Sequence, residues 1–92
     1  MEKMLGKIVI SKCGHDKDEI FIVVRIEKDF VFLTDGTLRT LEKLKKKNKK
    51  HIQIVNYIDN NIKNKIENDI ELTNEDIKLA LENYKNKNAK GE

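Results

Sequence analysis

A mainly β domain carrying one C-terminal helix is the fold class this sequence predicts, and three observations predict it. Short β-branched and aromatic runs recur through the first 58 residues, an Asp-Gly pair punctuates them, and only the last third shows an apolar repeat of helical period.

The first run, Gly6 to Lys12, places Ile8 and Ile10 on one face of a strand and Val9 on the other. Ile20 to Ile26 is denser. Ile20, Ile22, Val24 and Ile26 alternate with Phe21, Val23 and Arg25, as expected of a largely buried ribbon. Phe30 to Thr34 is a third strand, ended by Asp35-Gly36, whose readiness for positive φ marks a tight hairpin, and Thr37 to Leu41 returns as the fourth. After a lysine-rich loop, "HIQIV", His51 to Val55, makes a fifth. Five short antiparallel strands with tight connections predict a small curled sheet or barrel, because closure removes the edges a flat sheet leaves exposed.

From Asn56 to Glu71 isoleucine recurs at Ile58, Ile62, Ile66 and Ile70, a helical spacing, yet the asparagines between them weaken a helix. Residues 58–72 therefore read as a linker with room for a helical turn. In "LTNEDIKLALENYK", Thr73 caps a helix with Asp76 three residues on, while Leu72 and Ile77 stand where a hydrophobic staple packs. Glu75 and Asp76 at the start and Lys85 and Lys87 at the end suit the helix dipole. Ile77, Ala80, Leu81 and Tyr84 form one apolar stripe, able to dock on the sheet or on a partner. The organisation is thus a β domain over 1–57, a linker over 58–72 and a helix over 73–88, with Asn88 to Glu92 as a frayed tail.

Composition narrows the function. At 92 residues the core is small, and a large enclosed active site is not expected. No apolar run approaches the ~20 residues of a membrane span. Met1 to Lys7 lacks the apolar stretch and cleavage site of an export signal, and a single cysteine forms no internal disulfide, so a cytoplasmic location is the expectation. The net charge of +3 is unevenly spread: residues 1–58 hold 13 basic against 8 acidic groups, and 59–92 hold 6 against 8. Between Gly36 and Asn56 stand Arg39, Lys43, Lys45, Lys46, Lys47, Lys49 and Lys50 against Glu42 alone, a pattern associated with polyanion binding. Lysine, asparagine and isoleucine are abundant throughout, which accounts for the number of lysines but not for their clustering. The plainer reading of the run is a solvated, mobile loop.

"VISKCGHDKDEIFIVV", residues 9–24, places a polar elbow with one glycine between two strands. Cys13, His15 and His51 lack the four paired ligands of structural zinc. Cys13 and His15 lack the third, orienting group of a nucleophile pair, and "DKDE" lacks the spacing and closing glutamate of a calcium loop. Two readings stay open. Gly14 is either a hairpin glycine among solvated charges or the centre of a phosphate-facing loop, where a backbone without Cβ approaches an anion and Lys12, His15 and Lys17 supply donors. Asp16, Asp18 and Glu19 count against a purely electrostatic site.

"GKIVISKCGHDKDEIFIVV" resembles the KOW motif, a strand, a short loop with one fixed glycine (Gly14) and a second strand ending in paired valines (Val23, Val24). "DGTLRTLEKLKKKNKKHIQIV" extends the likeness to small bacterial KOW-domain RNA-binding proteins and to archaeal and eukaryotic large-subunit ribosomal proteins of the fourteen-e type. Those carry a D-G-x-x-R turn, a lysine-rich loop and a K-H dipeptide, matched here by Asp35, Gly36, Arg39, Lys43, Lys45, Lys47, Lys50 and His51. The resemblance covers about residues 4–56; Asp18 stands where the family often has a second glycine, and Leu44 where it often has proline.

The resemblance implies an SH3-like five-stranded barrel that binds RNA, ribosomal or otherwise structured, without catalysis or cofactor. The expected RNA-binding residues are Lys12, Gly14, His15, Lys17, Arg39, Lys43, Lys45, Lys46, Lys47, Lys49, Lys50 and His51. Alternation assigns Phe21, Phe30 and Phe32 to the core and leaves Tyr57 and Tyr84 as the only candidate platforms for bases. The rival reading is a protein-interaction adaptor whose barrel is a scaffold and whose C-terminal helix docks a partner of the transcription or translation machinery. No convergent acid, base or nucleophile set points to an enzyme.

Overall fold

The computed structural model describes the backbone of residues 4–90 and the side chains of residues 4–87. Met1 to Lys3, from the segment read for an export signal, and Gly91 and Glu92, from the expected tail, lie outside the described residues. Five strands form one antiparallel sheet: β1 (Lys7–Ser11), β2 (Ile20–Glu27), β3 (Phe30–Thr34), β4 (Lys45–Asn48) and β5 (Ile52–Ile58), in the order β4-β3-β2-β1-β5. Two helices follow, α1 (Asn60–Glu67) and α2 (Asn74–Lys90), so the architecture is mainly β.

The sheet is strongly curled. β4 and β5 are its opposite edges, yet only Lys49–His51, a single 3-10 turn, separates them in the chain. Five flat strands spaced by ~4.8 Å would hold the edges about 19 Å apart, more than the roughly 15 Å that the four steps from Asn48 to Ile52 can span. The sheet curls at this end without a β4–β5 ladder to close it.

Each face of the sheet carries its own core. Inside the curl lie Val9, Phe21, Val23, Val31 and Leu33, all buried, with Ile26 and Ile52 against them. On the convex face Ile8 and Ile22 pack with Ile62 of α1 and Ile77, Ala80 and Leu81 of α2. The register of β2 explains the split. Val23 pairs with Leu33 but Arg25 with Phe32, leaving Val24 as an extra, bulged residue. A bulge shifts side-chain parity by one, so Ile26 joins the inner core instead of continuing the Ile20, Ile22, Val24 face.

Three expectations are corrected here. Thr37 to Leu41 is not a strand: the Asp35 carboxylate accepts the backbone N–H groups of Thr37 and Arg39, both at 2.9 Å, and folds the segment into a loop. The fourth strand is instead the lysine run itself, Lys45–Asn48, paired residue for residue with Phe30–Leu33. The stretch read as a linker contains α1, whose N-cap Asp59 accepts the N–H groups of Asn61 and Ile62, and whose Ile62 is fully buried. Burial of that isoleucine stabilises a helix that local propensity alone leaves marginal.

The C-terminal helix starts as its sequence predicts. Thr73 Oγ1 accepts the Asp76 N–H at 3.1 Å while Asp76 Oδ2 accepts the Thr73 N–H at 2.9 Å, a reciprocal capping box. Asp76 also receives Lys65 Nζ of α1 at 2.8 Å, which clamps the two helices together. The Ile77, Ala80, Leu81 stripe is buried against the sheet and α1, and Tyr84 packs on Tyr57 with ring centroids 5.2 Å apart. α2 continues through Asn88 to Lys90, where a frayed tail was expected.

Candidate nucleic-acid interface

The elbow joining β1 to β2 folds back on its own strand. Asp18 N–H donates to the Ser11 carbonyl at 2.8 Å and Ser11 N–H to the Glu19 carbonyl at 3.0 Å. Gly14 (φ +91°) and Asp18 (φ +74°) both adopt left-handed backbone, which lets eight residues turn within the width of two strands.

The elbow is then fastened to the lysine strand, more than thirty residues away in sequence. Lys47 Nζ donates to the Cys13 carbonyl and to Asp16 Oδ1, each at 2.9 Å, and Lys45 Nζ lies 3.7 Å from Asp16 Oδ2. The buried Ser11 hydroxyl is 2.7 Å from Asp16 Oδ1 and donates there or to the Cys13 carbonyl. Burial pushes the Asp16 carboxyl up, but hydrogen bonds from Ser11 and Lys47 and the charges of Lys47 and Lys45 outweigh it and hold the group at about 2. Asp16 is the residue the sequence reading missed. It had counted against a cationic site, whereas it is the anion that joins the site's two halves.

A cleft of about 180 Å³ opens between the elbow, the Asp35–Arg39 loop and β4, with His15, Arg39, Lys45 and the exposed Leu38 along its wall. Asp16, Glu19 and Asp35 also line it. The first is paired with lysine, and the third is engaged by the N–H groups of its own loop. The loop is positioned by α2: a Cβ on Gly36 (φ +80°) would fall 2.8 Å from the Asn74 carbonyl, and Asn74 Oδ1 accepts the Leu41 N–H. The helix thereby fixes where Arg39 stands.

The expected binding residues divide by strand pleat. Lys12, Gly14, His15, Lys17, Arg39, Lys43, Lys46, Lys50 and His51 are exposed, and the Lys12 N–H donates to the His51 carbonyl, which brings the elbow beside the turn after β4. Lys45 and Lys49 are half-buried. Lys47, 9% exposed, holds the fold together and is not free to meet a ligand. Lys46 points to the other face of β4, its Nζ over the Phe30 ring at 4.4 Å from the centroid. The run is therefore an ordered edge, not a mobile loop.

The aromatic assignments change as well. Phe21 is buried, but Phe30 and Phe32 are half-buried on the convex face, the latter beneath the Arg25 guanidinium at 4.4 Å. β3 is apolar on both faces, so alternation alone gave no means of telling inside from outside. Tyr57 and Tyr84 are half-buried against each other and the helical core.

Among the described residues no group of three or more His, Cys, Asp or Glu is arranged to hold a metal ion, and no helix is long and apolar enough to cross a membrane. No protein-family model and no curated protein matches this chain.

Proposed function

We propose that this chain is a non-enzymatic RNA-binding module, an SH3-like barrel of the KOW type that grips the phosphate backbone of ribosomal or other structured RNA in the cytoplasm. The observation that carries the reading is the Lys47 bridge. It fastens the glycine elbow to β4, beside the turn after β4 and across a shared cleft from the Arg39 loop, and on these segments Lys12, His15, Lys17, Arg39, Lys50 and His51 are exposed. The left-handed Asp18 lends independent support, since its backbone suits the glycine that KOW proteins often carry there.

On this reading the lysines are point charges that add affinity and read no sequence, while the planar fork of Arg39 makes the bidentate contact. The buried stripe of α2 serves the chain's own core, so the adaptor reading gains no docking face from it.

The test is charge reversal confined to exposed groups. Lys12, Lys17, Arg39 and Lys50 changed to Glu should weaken binding to ribosomal RNA by at least about 100-fold at 0.1 M salt, a conservative figure for four lost phosphate contacts. The melting temperature should stay within a few degrees, because none of the four side chains is tied into the core. Unchanged affinity in the folded variant would reject the reading.

A further inference from the structure

The helices cover only part of the convex face. Over the far end of β2, β3 and β4 that face carries Arg25, Glu27, Phe30, Phe32, Lys46 and Asn48, aligned by the register Arg25↔Phe32↔Lys46 and Glu27↔Phe30↔Asn48. We infer that this bare patch is a stacking platform for two successive unpaired bases of an RNA strand, an inference that rests on the RNA-binding reading and adds a second, distinct surface to it.

Four observations carry it. Phe30 and Phe32 stand two apart on one strand, so their rings repeat at about 6.8 Å, a spacing within reach of neighbouring nucleotides in an extended single strand. Each ring has a cation over it, Lys46 Nζ on Phe30 and Arg25 on Phe32, both 4.4 Å from the ring centroid. Both heads sit on long, exposed stems. Arg25 also pairs with Glu27 at 2.9 Å, in an exposed ion pair that a phosphate can replace. A base can therefore take the ring while the cation swings to the adjoining phosphate. The surrounding charge suits a polyanion: Arg25, Lys28, Lys46 and Lys49 stand against Glu27 and Asp29. A neutral apolar partner would find little here, since both rings are half-buried and bordered by charge.

The platform also shares Lys46 and the turn at Lys49–His51 with the edge that leads to the elbow. A strand gripped by its phosphates at the elbow can therefore run onto β4 and lay its bases on β3. Phosphates give affinity at the first surface; unpaired bases are selected over duplex at the second.

The experiment uses Phe32→Trp as a reporter and an RNA hairpin with a tail of eight adenosines, labelled on the stem. Anisotropy of the label reports binding, and tryptophan emission reports stacking. The expected result is a rise in anisotropy together with quenching of the tryptophan, and no quenching by the same hairpin without its tail. Phe30→Leu with Phe32→Leu, which keeps apolar bulk against the sheet, should lower affinity for the tailed hairpin by at least about tenfold while leaving the blunt hairpin unaffected. A rise in anisotropy without quenching, or equal quenching by the blunt hairpin, overturns the platform and leaves the phosphate grip standing. No rise with either RNA overturns the RNA-binding reading, and the platform with it.

Discussion

At Asp16 one carboxylate meets two lysines and a buried hydroxyl, and the consequence is a lysine that sequence charge counting credits to the ligand but the fold uses for itself. Asp16→Asn should lower stability by about 2 kcal/mol, less than the roughly 3–5 kcal/mol of a fully buried pair because Asp16 keeps some contact with water. Urea denaturation at neutral pH measures it. Asp16 and Asp76 both lie at about 2, below the ordinary 3.8. At Asp76 burial again pushes upward and is outweighed by the hydrogen bonds of Lys65, Thr73 and Asn61. Since both folded-state values are depressed, the stability they contribute is complete above about pH 4 and is lost as pH falls toward 2. In Asp16→Asn that acid loss should be smaller than in the wild type.

Two left-handed residues test the backbone in opposite directions. Gly36→Ala puts a Cβ at positive φ and within 2.8 Å of the Asn74 carbonyl, and should cost about 2 kcal/mol or more. Asp18→Gly relieves a strained φ in an exposed loop and should be neutral or stabilising by up to about 1 kcal/mol, both read by thermal melting.

At the scale of elements, what was legible depended on whether local signals agreed with burial. α2 carried cap, staple, dipole and stripe together; the structure realises the cap, the acidic first turn and the stripe where the sequence places them, while the helix runs past Lys85 and Lys87 to Lys90. α1 had only the isoleucine spacing against a background of asparagine, and its reason for existing is Ile62, which finds its partners on β1 and α2. β4 was illegible for a different cause: "KKKN" has no apolar residue, and it is a strand because Phe30–Leu33 offers it a ladder. The Asp-Gly signal was correctly a turn, but Thr34, Asp35 and Gly36 close it through side-chain and backbone bonds to Arg39, and no returning strand follows directly. For α2 the stripe predicts a home role. Leu81→Ser should cost about 3 kcal/mol by removing a buried side chain and leaving a hydroxyl in its place. A melting temperature equal to the wild type would mean that the helix is not part of the core.

For the whole molecule, the sequence made the β class and four of the five strands readable, while the fourth strand and the curl that brings the elbow to it had to be seen. Lys12 meets His51 as a continuation of the β1–β5 ladder, but Cys13 meets Lys47 because β4 and β5, at opposite edges, are separated by one short turn. A molecule measuring 34 × 27 × 25 Å has little room for an enclosed site, which directs the proposal to its surfaces. The central claim is that those surfaces neutralise phosphate. Its most direct test is the slope of log affinity against log salt concentration for ribosomal RNA, wild type beside the Lys12, Lys17, Arg39 and Lys50 to Glu variant. The account predicts a negative slope of roughly 0.7–0.9 per phosphate contacted, made shallower by about 3 in the variant. A flat wild-type slope, or one the variant shares, would contradict it.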